Sequence, residues 1–346
     1  MLILTAMMLM TAQAATAAPK PGAIKSFGAW AVACDNVHRC EMTSLWPEDS
    51  QPEEGSPYAT LSVSVVREAG PTGGWTVEIE LPPKSGNGLL RVTTEQGLDV
   101  RGVVRDDLLR FTGADAAKIV AGMASGTDLR VGDARSVLGM VSLKGSSASL
   151  RYIDADQGRA GTITAAVAKG AKPATTVPAP PPLPQIAFVR PSGVAAPFPA
   201  ALRKALDKAS ECGSVYEGGE GDLPKADVHP LGGGKTLVLL PCGSGAYNFS
   251  SRPYILASGA KPVVAAFDSP PGMAPEGPPD LVNAGFDAKT GRLDSFAKGR
   301  GIGDCGSSES YVWDGAMFRL VEQRVMSECR GSVNWLAVWR ATAVAK

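Results

Sequence analysis

The chain has 346 residues, of which 34 are basic and 34 acidic, so its formal net charge is zero. Balanced charge excludes the global field that gathers nucleic acid or an anionic membrane surface, and no basic stripe interleaved with aromatics replaces it. Only two histidines are present, His38 and His229, which narrows the acid–base chemistry open to the chain.

Residues 2–10 are almost uniformly apolar and run into small residues with an A-x-A pattern, Ala12-Gln13-Ala14 or Ala15-Thr16-Ala17. Such a stretch reads as a secretory signal over 1–17, and it is too short to span a bilayer, which takes about 20 apolar residues. Residues 22–168 then read mostly as strands, the first a short run through Phe27, Trp30 and Val32 entering Cys34. Leu61, Val63 and Val65 alternate with serines, and Trp75, Val77 and Ile79 alternate with Thr76, Glu78 and Glu80, one face buried and one wet. The alternation continues over 89–104 with a turn at Gln96-Gly97. A helix is expected over 114–124, where Ile119, Val120 and Met123 share one side, followed by strands at 140–143 and 150–153.

Residues 169–185 read KGAKPATTVPAPPPLPQ, a proline-rich linker of extended polyproline II character. Beyond it, Pro199 opens an amphipathic helix in which Leu202, Ala205, Leu206 and Ala209 form the apolar stripe, ending near Cys212-Gly213. Strands follow at 236–240, 254–256, 263–267, 311–313, 317–323 and 334–340, with hairpin turns at Lys289-Thr290-Gly291 and Asp314-Gly315. The expected fold is α+β, mostly β: an N-terminal antiparallel β-sandwich-like domain (22–168) and a C-terminal antiparallel sheet with one packed helix (186–346).

Six cysteines behind an export signal imply an oxidising compartment, periplasmic or secreted, and a disulfide framework. Six cysteines allow 15 pairings, and neighbour pairing is favoured because the linker separates the first two from the other four: Cys34 with Cys40, Cys212 with Cys242, Cys305 with Cys329. On a chain-entropy account the short loop contributes about 2.4 kcal/mol and each longer one roughly 3.5 kcal/mol. Cys34, His38 and Cys40 do not make a zinc site, because a fourth ligand is missing.

The usual catalytic signatures are absent. Leu231-Gly232-Gly233-Gly234-Lys235-Thr236 lacks the first glycine and preceding strand of a phosphate loop, and Cys242-Gly243-Ser244-Gly245 lacks the frame of a nucleophile elbow. No cofactor or metal motif remains. The densest polar feature is the loop 299–306, where Arg300, Gly301, Gly303 and Asp304 either receive an anion or close on themselves as an internal salt bridge. Arg151, Asp154, Gln157 and Arg159 form a weaker candidate set, as a solvated face or as carboxylates for acid–base work. Trp46, in a Pro- and Glu-rich stretch, is expected to be exposed.

The blocks FGAWAVACDNVHRCEMTS (27–44), GSSASLRYIDADQGRAGTITA (145–165) and GRGIGDCGSSESYVWDGAMFRL (299–320) resemble a family of uncharacterised proteobacterial exported proteins known as a domain of unknown function. The first block is also similar to the start of the invasion-associated-locus-B family of secreted β-sandwich-like proteins. The first resemblance implies export and architecture but no activity; the second implies a role at the envelope or in host contact. The expectation is a non-enzymatic module that binds an envelope protein or cell-surface component, with no nucleic acid and no membrane span in the mature chain. The alternative is a carboxylate-dependent hydrolase or transferase using Asp154 and Asp304.

Overall fold

The computed structural model describes residues 18–48, 56–216, 224–272 and 277–346. The expected signal segment 1–17 lies outside them. Strands β1 (Ile24–Phe27), β2 (Trp30–Cys34), β3 (Cys40–Ser44), β4 (Ser62–Arg67) and β5 (Trp75–Glu80) open the chain, followed by β6 (Leu89–Thr93), β7 (Asp99–Val103) and β8 (Leu108–Thr112). Helix α1 (Gly113–Met123), β9 (Asp128–Gly132), β10 (Val137–Ser142) and α2 (Ser146–Asp156) complete the N-terminal half. One antiparallel sheet runs β1-β2-β3-β4-β5-β8 and a second β10-β9-β6-β7. Trp30, Met42, Val63, Val77, Ile119, Leu129 and Leu150 fill a single core shared by these sheets and the two helices.

Two local expectations need correction. Residues 150–153 are helical: Gly145, at φ +97°, starts α2, and Ser149, Leu150, Ile153 and Asp154 are buried at the three- and four-residue spacing of a helix. The apolar run from Phe27 to Val32 is likewise two strands, because Gly28 at φ +55° reverses the chain between β1 and β2.

The C-terminal half comprises β11 (Gln185–Phe188), α3 (Ala200–Ser210), β12 (Asp227–Gly232), β13 (Lys235–Ser244), β14 (Phe249–Ala257), β15 (Val263–Val264) and β16 (Leu281–Val282). It continues with β17 (Gly285–Asp287), β18 (Arg292–Lys298), β19 (Gly306–Trp313), β20 (Phe318–Met326), β21 (Leu336–Arg340) and β22 (Thr342–Ala345). The expected sheet with a packed helix is present as β12-β13-β14-β15, with β16 on β14 and α3 on its outer face, and a second sheet, β17-β18-β19-β20-β21, faces it. Residues 236–240 form a continuous apolar run for a physical reason. Leu237 and Leu239 point into the core between the sheets, while Val238 and Leu240 pack under α3 with Leu206, so both faces are buried. Helix α3 stops one residue early, at Glu211 in the left-handed region (φ 61°), and the strand at 263 is two residues long. A parallel pair, β11 with β22, covers the outer face of the second sheet through Ile186 and Phe188 on Val312 and Val321.

A third apolar cluster joins the halves: Ala31, Ala33 and Leu45 pack on Cys305, Met326, Trp335, Leu336 and Val338. Strand β2 is therefore covered on both faces, which explains its alternation of Trp and Val with Ala. Hydrogen bonds run along this seam, from Gly22 N–H to the Val338 carbonyl (2.8 Å), from Ala337 N–H to Glu41 Oε2 (3.1 Å) and from Arg340 N–H to Asn36 Oδ1 (2.8 Å). The proline-rich residues run against the N-terminal half, where Val177 is buried and Pro178 and Pro180 lie against Gly158 and Gly70. The mostly β character expected from alternation is what the molecule has. Among the described residues no helix is long and apolar enough to cross a membrane.

Candidate functional site: a trough at the seam

All three neighbour disulfides are formed, Cys34 to Cys40, Cys212 to Cys242 and Cys305 to Cys329. The first joins directly opposed residues of the β2–β3 hairpin. Its sulfurs, although near Asp156, are bonded to each other and offer no thiolate. His38 instead meets Asp156 at 2.9 Å on the surface.

The third disulfide ties the loop 299–305, between β18 and β19, to the segment 327–333 between β20 and β21. Gly299 N–H donates to the Cys305 carbonyl (2.7 Å), and Gly303, at φ +73°, returns its N–H to the Arg300 carbonyl (3.0 Å). Gly301 packs over Tyr247, whose hydroxyl donates to the Gly299 carbonyl (3.3 Å). Asp304 is buried. It receives Arg300 Nε at 2.7 Å, a second bond from the same guanidinium, and Gly331 N–H at 2.6 Å. Burial alone would raise the Asp304 carboxyl; the bonds from Arg300 and Gly331 overcome that and hold it below the usual carboxylate range. The internal ion pair, one of the two readings of this loop, is thus the arrangement adopted.

The expected exposure of Trp46 is corrected by the same cluster. Its ring is half-buried against Gly331, where a Cβ would meet Cε2 at 2.1 Å, and the Arg300 guanidinium lies 5.9 Å from its centroid. Trp46 N–H donates to the Arg330 carbonyl (2.8 Å) and Arg330 Nε to the Trp46 carbonyl (2.9 Å). The tryptophan is the tongue of a latch between the halves.

Of the weaker candidate set, Asp154, Gln157 and Arg159 are buried in hydrogen-bond networks. Asp154, fully buried on α2, accepts the N–H groups of Ala166, Val167 and Ala168 at 2.8, 2.9 and 3.0 Å. Arg159, equally buried, donates to Gln157 Oε1 (2.7 Å), Thr164 Oγ1 (3.1 Å) and the carbonyls of Glu68 and Gly70. Gln157 donates to the carbonyls of His38 (2.7 Å) and Arg67 (3.1 Å). Arg151 stands apart in solvent. Asp154 and Asp304 belong to different networks and line none of the described pockets.

What the loop does border is a trough. One part, about 390 Å³, is lined by Phe296, Lys298, Ile302, Gly303, Ser308, Arg324, Val333 and Trp335. A second, about 260 Å³, continues from Arg324, Val333 and Trp335 to Arg39, Glu41, Ser64 and Glu78 of the N-terminal half. Phe296 stacks on Trp335 with centroids 4.5 Å apart and planes 10° from parallel. Phe296, Ile302 and Val333 remain 37%, 63% and 56% exposed, an apolar surface beside Lys298, whose ammonium has no partner among the described residues. Arg324 spans the two parts, giving Nε to the Trp335 carbonyl (3.1 Å) and a second nitrogen to Glu41 (3.2 Å). Sequence reading missed this surface because its residues come from three segments. The available signal was β18, where Leu293, Ser295 and Ala297 point inward and an aromatic, Phe296, points out.

Fold and site together define a disulfide-stapled, mostly β protein with a mixed aromatic and charged trough where its halves meet. The chain belongs to the family described as protein of unknown function (DUF1176), whose model matches residues 24–342. An uncharacterised Escherichia coli (strain K12) protein, YpfG, is 32% identical over 210 residues, which span 58% of this chain and 59% of that protein's length. The crystal structure of invasion associated protein B from Bartonella henselae aligns over 39% of this chain and 99% of that one, at 18% identity. Its TM-score of 0.30 is too low to carry an argument.

Proposed function

We propose that the chain is an exported, non-catalytic module and that it binds a segment of an envelope protein in the seam trough. The observation that carries this reading is the exposed Phe296, Ile302 and Val333 surface built on the Trp335 stack, with Lys298, whose ammonium has no partner among the described residues, at its rim. Aromatic anchors within a polar rim are what protein interfaces use. Three disulfides and the apolar leader support export. The two-unit division, 22–168 and 186–346 joined by 169–185, belongs to the same reading and makes the trough an inter-domain site, a common place for ligands. Against a hydrolase stands the saturation of both carboxylates it would use: Asp154 by three N–H groups and Asp304 by Arg300 and Gly331.

A photo-crosslinking side chain at Ile302, compared in intact cells with one at Val263 on the remote strand β15, tests the assignment. The expected result is a discrete adduct from position 302 only, lost when Val333 is replaced by Asp. Equal labelling from both positions, or none from 302, would refute it.

A further inference from the structure

The floor of the larger part of the trough is set by strand register. Phe296 on β18, Ser308 on β19 and Arg324 on β20 are directly opposed on one face of the sheet. Strands lie about 4.8 Å apart, so a small serine between an aromatic ring and a guanidinium leaves a recess. One pair along, Lys298 opposes Gly306, and a Cβ on that glycine would stand 2.8 Å from the Trp335 ring, which walls the recess on that side. In the other direction Asp294, Ser310 and Glu322 form the next row. The recess therefore has a cation at one end and two carboxylates at the other. Those charges differ in what already holds them. Asp294 accepts the Ser310 hydroxyl, and Glu322 lies 3.7 Å from Arg292 and 3.7 Å from Arg324. Arg324 is taken further by Glu41, at 3.2 Å. Lys298 has no ionic partner among the described residues, and no carboxylate lines this part of the trough. Its position is nonetheless fixed. Asn248 donates to its carbonyl at 2.8 Å and accepts its N–H at 3.2 Å, and Asn283 donates to the Phe296 carbonyl at 2.9 Å. The lysine stem lies along Gly303, where a Cβ would be 3.8 Å from Cδ. The ammonium is thus presented at the rim of an apolar recess.

Resting on the reading of the trough as a protein-binding site, we infer that the segment it takes is acidic: an extended stretch in which Asp or Glu stands beside a large apolar residue. The apolar side chain fills the recess over Phe296 and Ser308, and the carboxylate meets Lys298. Covering Lys298 with a purely apolar segment would bury a charge without a counter-charge, which is costly. A carboxylate removes that cost and is matched in sign to the one end of the recess where no carboxylate already stands. The opposite placement would set the partner's acid against Asp294 and Glu322, so the same charges that attract the segment in one orientation reject it in the other. The recess also opens past Arg324 into the second part of the trough, between Val333 and Trp335 on one side and Glu41 and Glu78 on the other. That continuity suits an internal stretch of chain, which passes through, over a chain terminus, which would end at Lys298.

The test is selection of a random peptide library on the full, disulfide-intact chain, followed by titration of the enriched peptides against the parent and three variants. The enriched peptides are expected to share an acidic residue next to a large apolar one. Their affinity should fall about tenfold in Lys298→Glu, which sets like charges against each other, and stay within about twofold in Lys298→Arg. It should also fall in Ser308→Trp, which fills the recess, and a peptide with its acid changed to Lys should bind Lys298→Glu better than the parent. Peptides that lose binding in Ser308→Trp yet carry no acid, or that bind Lys298→Glu as well as the parent, overturn this inference and leave the trough a protein-binding site. No enrichment, or peptides indifferent to Ser308→Trp, overturns the protein-binding reading and this inference with it. Should Ser308→Trp fail to fold, Val333→Asp, at an exposed position on the rim, reports in its place.

Discussion

Asp154 in the N-terminal half and Glu309 in the C-terminal half are both carboxylates with no solvent exposure, and they differ in what surrounds them. Asp154 closes a loop: three consecutive backbone N–H groups, of Ala166, Val167 and Ala168, converge on its two oxygens. Glu309 is flanked by Ser295 and Gln323, and burial raises its carboxyl against the weaker pull of Ser307, the Gly272 N–H, Gln323 and Ser295. Burial depth alone therefore says little about what an acidic side chain does. The partner inventory says more, because a carboxylate saturated by backbone N–H groups is architecture, whereas one whose contacts do not offset its burial is driven toward its neutral form.

The same isosteric change separates the two most sharply. Asp154→Asn replaces an acceptor with an amide NH₂ that faces donors, and it should cost about 3 kcal/mol, read as a lower urea midpoint with an unchanged slope. Glu309→Gln replaces a carboxyl that burial drives toward its neutral form, and it should leave stability unchanged or raise it. Equal losses in the two variants would mean that the contacts of Glu309 are as firm as those of Asp154 and would erase the distinction.

A second saturated centre, Asp304, depends on the latch that presents Gly331 to it. Gly331 sits at φ +80° with the Trp46 ring where a Cβ would be. Gly331→Ala should destabilise the chain by about 2–4 kcal/mol through backbone strain and displacement of the ring, checked by the same urea titration. A loss below about 0.5 kcal/mol would show that Trp46 does not hold the halves together.

How far these features could be read from the sequence follows from how local they are. The disulfide pairs were legible because spacing and a proline-rich separator left a natural pairing, and β4 and β5 were legible because Val63, Val65, Val77 and Ile79 alternate with polar residues. Helix α2 was not: Leu150, Tyr152 and Ile153 fit a strand in isolation, and only the burial of Ser149 and Asp154 beside them reveals the helical period. The Arg300 and Asp304 pairing was foreseeable at four-residue separation, but its third partner, Gly331, comes from across the disulfide. The trough needed tertiary structure altogether, since Phe296 meets Trp335 only when β18 and the β20–β21 connection are brought together. Glu309 was within reach, because extending the Tyr311–Trp313 strand backwards by twos puts an acid on the inward face.

The smallest expected effect tests whether Asp304 belongs with Asp154. Arg300→Gln removes two bonds to Asp304 but leaves the Gly331 N–H, and because the Arg300 side chain is 30% exposed its pair is partly screened. A loss of about 1 kcal/mol at pH 7 is expected. The sign of its pH dependence follows from the lowered position of the Asp304 carboxyl. An acid whose folded value lies below its unfolded one, near 3.9, contributes fully above the unfolded value and loses that contribution as pH falls through the folded one. Urea midpoints of the parent and Arg300→Gln should therefore differ by a constant amount from about pH 5 to 8 and converge as pH falls below the unfolded value of about 3.9. A difference that persists undiminished at the acid end would mean that Arg300 acts through its packing near Trp46 and not through the carboxylate. Asp304 would then be held by its backbone partner alone, closer to the Asp154 pattern than the ion pair suggests.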